Sequence, residues 1–191
     1  MNLAGSVIIV TGSATGLGSA TAKLAASKGA NVVINYTKSE VEAKETAAAC
    51  RDLGTEVLLC RADVSVDQDC RRMAAEAVAK WGRIDGLVNN AGQSVFASSA
   101  DLESLTAEDF LHVYSVNVVG AYQMIRATAP HLKTSGEGAI VNVSSISSIT
   151  GAGSSIAYAA SKGALNTMTV SLARALAPEV RVNAVLPGLF P

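Results

Sequence analysis

Charge is sparse in this chain. Charged residues make up 16% of its 191 positions and the formal net charge is -1. That balance removes the electrostatic case for a nucleic-acid partner or an anionic membrane surface. No uncharged apolar run approaches the length of a membrane-spanning helix. Basic side chains are also missing ahead of the apolar stretch Val7–Val10, the first being Lys23. The stretch therefore reads as a strand and not as the core of a secretory signal. Cysteine is sparse: Cys50, Cys60 and Cys70 lie about ten residues apart, in expected helix, strand and helix settings. Their odd number and the lack of C-x-x-C or Cys/His spacing offer neither a disulfide framework nor a metal site. They read as ordinary reduced thiols of a cytoplasmic protein. Solenoid repeats, low-complexity tracts and linkers are absent, which leaves a single domain over residues 1–191.

What is present is a globular composition, 49% hydrophobic, with length for one sizeable core. Strand and helix signals alternate. Residues 6–11 read as a buried strand, and 16–28 as a helix with Leu17, Ala20, Leu24 and Ala25 along one side. Asn31–Tyr36 is a strand rich in β-branched residues. Residues 39–53 read as a helix with Ser39 as N-cap, a Glu40/Lys44 pair and Gly54 as its stop. Strands at 55–61 and 85–89 flank a helix at 66–81. A long helix spans 107–131, where Thr106 and Asp109 suggest a capping box and Pro130 disturbs the last turn. A strand at 139–143, a helix at 157–177 stopped by Pro178, and a strand at 180–186 complete the pattern. Such alternation predicts an α/β fold, a doubly wound parallel sheet of six strands covered on both faces.

Two features carry chemistry. The first strand runs into Thr11-Gly12-Ser13-Ala14-Thr15-Gly16-Leu17-Gly18, followed by a helix whose free N–H groups suit a pyrophosphate. A tight turn alone would also explain glycines there. The absence of Gly-Lys-Ser/Thr argues against a nucleoside-triphosphate P-loop. The second feature is Tyr158 and Lys162, four residues apart and so on one helix face. A phenol of pKa about 10 is a poor acid–base catalyst at neutral pH, and a nearby cation favours its ionised form. Bringing a phenol down by ~3 pH units requires roughly 4 kcal/mol.

Taken in order, these motifs resemble the short-chain dehydrogenase/reductase family. The T-G-x-x-x-G-x-G loop is at 11–18, Asp63-Val64 follows the third strand, and Asn89-Asn90-Ala91-Gly92 ends the fourth. Asn117, Ser145, Tyr158-x-x-x-Lys162 and Pro187-Gly188 follow. The resemblance implies a Rossmann-type three-layer α/β/α fold and hydride transfer between a nicotinamide dinucleotide and a carbonyl or secondary alcohol. It implies that Tyr158 exchanges the proton and that Lys162 assists it and binds the nicotinamide ribose. Ser145, 13 residues before Tyr158, would polarise the substrate oxygen in preference to Ser144. Asn117 would hold a water within a locally distorted helix. Gly12, Thr15, Gly16, Leu17, Gly18, Lys38, Asp63, Val64, Asn90, Ala91, Gly92, Pro187 and Gly188 would line the cofactor site, with Tyr158 and Lys162. Asp63 could instead cap the helix that begins near Val66. His112 and His131 are expected to have no role, and no metal is expected.

At the end of the second strand, Asn35-Tyr36-Thr37-Lys38-Ser39 holds no carboxylate for a ribose 2′-hydroxyl, whereas Lys38 can reach a 2′-phosphate. NADP(H) is therefore favoured, with NAD(H) possible. Family members continue beyond Pro187-Gly188 through a substrate lid and a seventh strand. This chain is thus expected to be a truncated representative or a short form, with its sixth strand left as an exposed edge. Ala159, Ala160, Gly163 and Ala164 leave room for close helix pairing, which makes a homodimer or homotetramer the expected assembly. A small-molecule substrate, with no nucleic acid or membrane, completes the expected partners. The alternatives are a nicotinamide-binding sensor or scaffold without turnover, and an epimerase or dehydratase.

Overall fold

The computed structural model describes residues 2–189. Six parallel strands form one sheet: β1 (Val7–Val10), β2 (Asn31–Tyr36), β3 (Val57–Arg61), β4 (Gly86–Asn89), β5 (Gly138–Val143) and β6 (Val180–Val185). Their spatial order is β3-β2-β1-β4-β5-β6, so β1 is central and the winding reverses between β1 and β4. Register brings Ile9 of β1 opposite Val33 of β2 and Leu87 of β4. The helices are α1 (Gly16–Ser27), α2 (Glu40–Arg51), α3 (Asp67–Trp81), α4 (Ala107–Tyr114), α5 (Ala121–Thr134), α6 (Ser147–Thr150) and α7 (Ile156–Leu176).

Two apolar clusters sandwich the sheet. One packs Ile9, Val33, Leu87 and Ile140 against Met73, Met124 and Leu132, with Leu172 and Leu176 of α7 beside them. The other packs Ile8, Val10, Val32 and Ile34 against alanines of α1 and α2. This second layer stops near β4. Alternate residues of β5 and β6 on that side, among them Val141, Asn183 and Val185, are not buried, so the expected cover on both faces is incomplete there. Edge strand β6 pairs only with β5 among the described residues.

Local expectations hold with instructive exceptions. The capping box at α4 forms: Asp109 N–H donates to Thr106 Oγ1 at 3.2 Å and Thr106 N–H to Asp109 Oδ2 at 2.9 Å. Ser39 precedes α2, but its side chain makes no capping bond, and Glu40 pairs with Lys44 at 2.6 Å. The long helix is three pieces, because Ser115–Gly120 is a π-helical turn between α4 and α5. Pro130 does not end α5, and near its end His131 O accepts from both Ser135 N–H and Thr134 Oγ1.

The buried face of α1 is Gly18, Ser19, Ala22, Ala25 and Ala26; Leu24, expected inside, is 62% exposed. A helix this close to a sheet admits only small side chains, so leucine turns outward. The three cysteines are free and buried, and burial pushes the Cys60 thiol up to about 11 and Cys70 to about 12. Among the described residues, no helix is long and apolar enough to cross a membrane, and no cluster could hold a metal.

Candidate active site

The crevice opens at the carboxyl ends of β1 and β4, where the strand order reverses and open α/β sheets place their ligands. Gly12 adopts φ +60°, a left-handed conformation natural only to glycine, and a Cβ there would meet Ala91 Cα at 2.9 Å. At Gly18 a Cβ would collide with Gly12 O and sit 2.5 Å from Asn90 Nδ2. The loop is thus pressed against the turn after β4, and Asn90 Nδ2 fastens the contact by donating to Thr11 O at 2.9 Å and Gly12 O at 3.0 Å. Thr11 Oγ1 accepts from the N–H groups of Asn90 and Ala91, each at 3.0 Å. On the other side, Asn35 Oδ1 accepts from Gly12 N–H at 2.9 Å while its Nδ2 donates to Ala62 O at 2.9 Å. One buried amide therefore ties the glycine loop to the loop carrying Asp63.

These braces leave a cavity of about 470 Å³ lined by Gly12, Thr15, Gly18, Lys38, Asp63 and Val64, among others. Thr15 precedes α1 without a side-chain bond to the helix, so the first-turn N–H groups have no protein side-chain cap. A glycine-walled cradle, uncapped amides at a helix N-terminus and a polar far end fit a dinucleotide. Asp63 does not cap α3: its carboxylate accepts from Ser65 N–H at 2.9 Å and Ser65 Oγ at 2.7 Å.

A second cavity of about 290 Å³ adjoins the first through Leu17, Asn90, Gly92 and Gln93, and brings together Ser145, Tyr158, Lys162, Pro187 and Gly188. Helix α7 is capped by Ser155, whose Oγ accepts from Tyr158 N–H at 3.2 Å. Its course is set from within the core, where Asn89 Nδ2 donates to Asn142 Oδ1 and Asn142 Nδ2 to Thr169 Oγ1, both at 2.9 Å. Lys162 is 3% exposed, and its Nζ donates to Val143 O at 2.8 Å. The same nitrogen lies 5.6 Å from the centre of the Tyr158 ring. Burial lowers the Lys162 pKa to about 8, so the ammonium is the dominant form below that pH.

Ser145 Oγ donates to Ser147 Oγ and accepts from Ser147 N–H, both at 3.1 Å. Ser144 Oγ is directed elsewhere, to Lys162 O at 3.2 Å. Asn117 sits in the π-turn, 1% exposed. Its Oδ1 accepts from Gln93 N–H at 2.7 Å and its Nδ2 donates to Gln93 O and Ser161 Oγ, each at 2.9 Å.

Sequence similarity agrees with this layout. Residues 6–191 match the family model described as short chain dehydrogenase. The chain belongs to the short-chain dehydrogenase family. A Streptomyces violaceoruber relative, assigned as ketoacyl reductase 2 of the granaticin polyketide synthase, is 45% identical over 184 residues, covering 96% of this chain and 72% of the relative. A crystal structure from Burkholderia xenovorans, assigned as a short-chain dehydrogenase/reductase, has a TM-score of 0.96 at 44% identity, covering 97% of this chain and 77% of that one. The crystal structure of an NAD+-bound xylitol dehydrogenase has a TM-score of 0.91 at 33% identity, covering 98% and 72% respectively.

In this short-chain dehydrogenase the site residues expected from sequence converge on the two adjoining cavities, with two exceptions. Gly16 opens α1 at φ +54° and lines neither wall. Asn117 lies behind the wall and reaches it through Gln93 and Ser161. Other braces escape sequence reasoning. Gln123 Nε2 donates to Val64 O at 2.8 Å, and Gly120 admits Val64 so closely that a Cβ would sit 2.8 Å from Val64 Cγ2. The π-turn and the start of α5 are thereby bound to the loop carrying Asp63 and Val64. His112, expected to be idle, lines the larger cavity with Val116. No spacing in the sequence marks Asn35, Gln123 or Ser147, since each acts through residues distant in the chain or through its own rotamer.

Proposed function

We propose that this oxidoreductase interconverts a carbonyl compound and its secondary alcohol, prefers NADP(H) to NAD(H), and uses Tyr158 as general acid and base. The observation that carries the reading is the meeting of Tyr158, Ser145 and the buried Lys162 on one cavity beside the dinucleotide crevice. Gly12, Gly18 and the first turn of α1 would hold the pyrophosphate, Asp63 and Val64 the adenosine end, and Lys162 the nicotinamide ribose. Bound there, the nicotinamide supplies hydride to the carbonyl carbon or takes it from the carbinol carbon.

The remaining work falls to the chain. Tyr158 gives its hydroxyl proton to the carbonyl oxygen as negative charge develops there, and takes a proton back in the reverse direction. Lys162, charged below about pH 8, favours negative charge on the phenol oxygen as the proton leaves. Ser145 turns its O–H from Ser147 toward the substrate oxygen while Ser147 N–H continues to donate to Ser145 Oγ. That second bond polarises the serine and fixes its place. Asn117 positions Gln93 and Ser161 around the lysine. At the ribose end no carboxylate is found between Tyr36 and Ser39, and exposed Lys38 lines the wall, which favours a 2′-phosphate.

The reading is tested by absorbance assays of NADPH and NADH oxidation in parallel, over a panel of ketones, with the alcohols assayed in reverse. Ketone reduction with NADPH favoured is the expected result. Failure of every carbonyl compound to react, together with failure of both nucleotides to bind, would overturn it.

A further inference from the structure

Two asparagines face each other on inner strands of the sheet. Asn89 of β4 and Asn142 of β5 are paired in register, and both are buried. Their amides form a line of hydrogen bonds with one direction. Asn89 Nδ2 donates to Asn142 Oδ1 and Asn142 Nδ2 to Thr169 Oγ1, each at 2.9 Å, and Thr169 Oγ1 donates to Leu165 O at 2.8 Å. Thr169 is buried as well. Burying such groups is costly, and apolar side chains of the same shape would hold the core about as well. What the amides add over an apolar core is geometry, since a hydrogen bond fixes the height and rotation of α7 on the sheet.

Residues 142–145 follow one another at the end of β5, and each acts at this junction. Asn142 holds Thr169, Val143 O accepts from Lys162 Nζ at 2.8 Å, Ser144 Oγ donates to Lys162 O at 3.2 Å, and Ser145 lines the inner cavity with Tyr158. Other elements hold α7 at Ser161, through Asn117, and at Asn166, whose Nδ2 donates to Ser148 Oγ at 2.7 Å. Among the described residues, the side-chain hydrogen bonds tying α7 to other elements thus fall at 161–166, with Thr169 alone beyond them. Held only at that cluster, the helix is free to tilt about it. At about 1.5 Å of rise per residue, Thr169 and Tyr158 lie roughly 8 Å to either side of the cluster's middle. A shift at one end is therefore matched at the other, and a misplacement of ~1 Å at a reacting group can cost about 100-fold in rate.

We propose that Asn142 and Thr169 are positioning residues, whose mutual hydrogen bond sets the tilt of α7 and with it the place of Tyr158 relative to Ser145. Neither lines the two adjoining cavities of the site. The inference rests on the carbonyl chemistry set out above and adds two residues to it. Three variants test it, assayed with NADPH and a ketone that the parent reduces, beside urea unfolding and dinucleotide titration. Thr169→Val keeps the shape and removes the hydroxyl; kcat should fall about tenfold while the dinucleotide Kd stays within about twofold. Thr169→Ser keeps the hydroxyl and should hold kcat within about twofold of the parent. The double variant Asn142→Leu with Thr169→Val removes both partners, while Asn89 Nδ2 keeps Ala121 O at 3.4 Å. Its urea midpoint should return toward that of the parent while kcat stays about tenfold down, an outcome that a merely stabilising bond would not give. Full turnover by Thr169→Val, a tenfold loss in Thr169→Ser, or recovery of kcat together with the midpoint in the double variant would overturn the inference and leave the carbonyl chemistry standing. A parent that reduces no ketone would overturn both.

Discussion

Replacing Lys162 by methionine tests the physical state of the site independently of any substrate. The lysine is 3% exposed, and desolvation alone brings its pKa from 10.5 to about 8. At about 1.36 kcal/mol per pH unit, that fall corresponds to about 3 kcal/mol by which folding disfavours the ammonium. Below pH 8 the lysine is protonated in both folded and unfolded chains, and the full penalty stands. Between pH 8 and 10.5 the unfolded chain binds more protons than the folded one, so this group makes stability rise with pH. Above 10.5 the penalty has gone. The methionine of the variant cannot titrate, and at pH 7 it lacks the charge-assisted bond to Val143 O, worth about 1.5–3 kcal/mol.

The stability of the parent minus that of Lys162→Met should therefore climb by about 3 kcal/mol from pH 7 to pH 10.5. Urea unfolding of both proteins at steps across this range supplies the difference, and groups common to the two cancel. At pH 7 the burial penalty and the lost bond oppose each other, so the variant should lie within about 2 kcal/mol of the parent. A difference that stays flat with pH would refute the burial account of Lys162. One that falls with pH would mean that the fold stabilises the ammonium. The same variant is expected to lose turnover, which would mark the lysine as a group kept against stability for its chemistry.

Three further outcomes follow from the geometry. Tyr158→Phe removes only the hydroxyl, so turnover should fall about 10²–10⁴-fold while dinucleotide affinity by fluorescence titration is retained; undiminished turnover would remove Tyr158 as proton donor. Lys38→Asp places a carboxylate on an exposed part of the larger crevice wall and should shift the NADPH-to-NADH ratio of kcat/KM toward NADH by about tenfold or more, an unchanged ratio ruling out Lys38 as the partner proposed for the 2′-phosphate. Gly18→Ala drives a methyl into Gly12 O and Asn90 Nδ2, so stability should drop by about 1–3 kcal/mol in urea together with dinucleotide affinity. Full retention of both would show that the glycine loop and the turn after β4 separate at little cost.

How far the sequence discloses this molecule depends on the distance over which each constraint acts. Tyr158 and Lys162 are legible because one helical turn is all that joins them. The strands are legible because β1 is a continuous apolar run and β2 is rich in β-branched residues, and the glycine loop because strand, turn and helix follow one another directly. Constraints imposed from afar are silent. Periodicity puts Leu24 on an inner face of α1, yet that face is decided by the turn at 90–92, which presses on Gly18 and leaves room only for small residues. The π-turn carries no composition of its own. It is held by Asn117 bonding Gln93, and the start of α5 that follows it by Gln123 bonding Val64, partners 24 and 59 positions away. Asn35 reads as one more polar residue at a strand end, although it joins two loops of the crevice.

Asn35, Asn117 and Gln123 share one property. Each is a buried side-chain amide whose donors or acceptors are met by backbone, and breaking one such bond leaves a desolvated polar group without a partner. Their penalty for misplacement is therefore steep, and they hold the loops that carry Asp63, Gly12 and Gln93 in one arrangement. Preorganisation of the crevice rests on these amides, whereas Tyr158 and Lys162, the groups proposed to handle the proton, stand on α7.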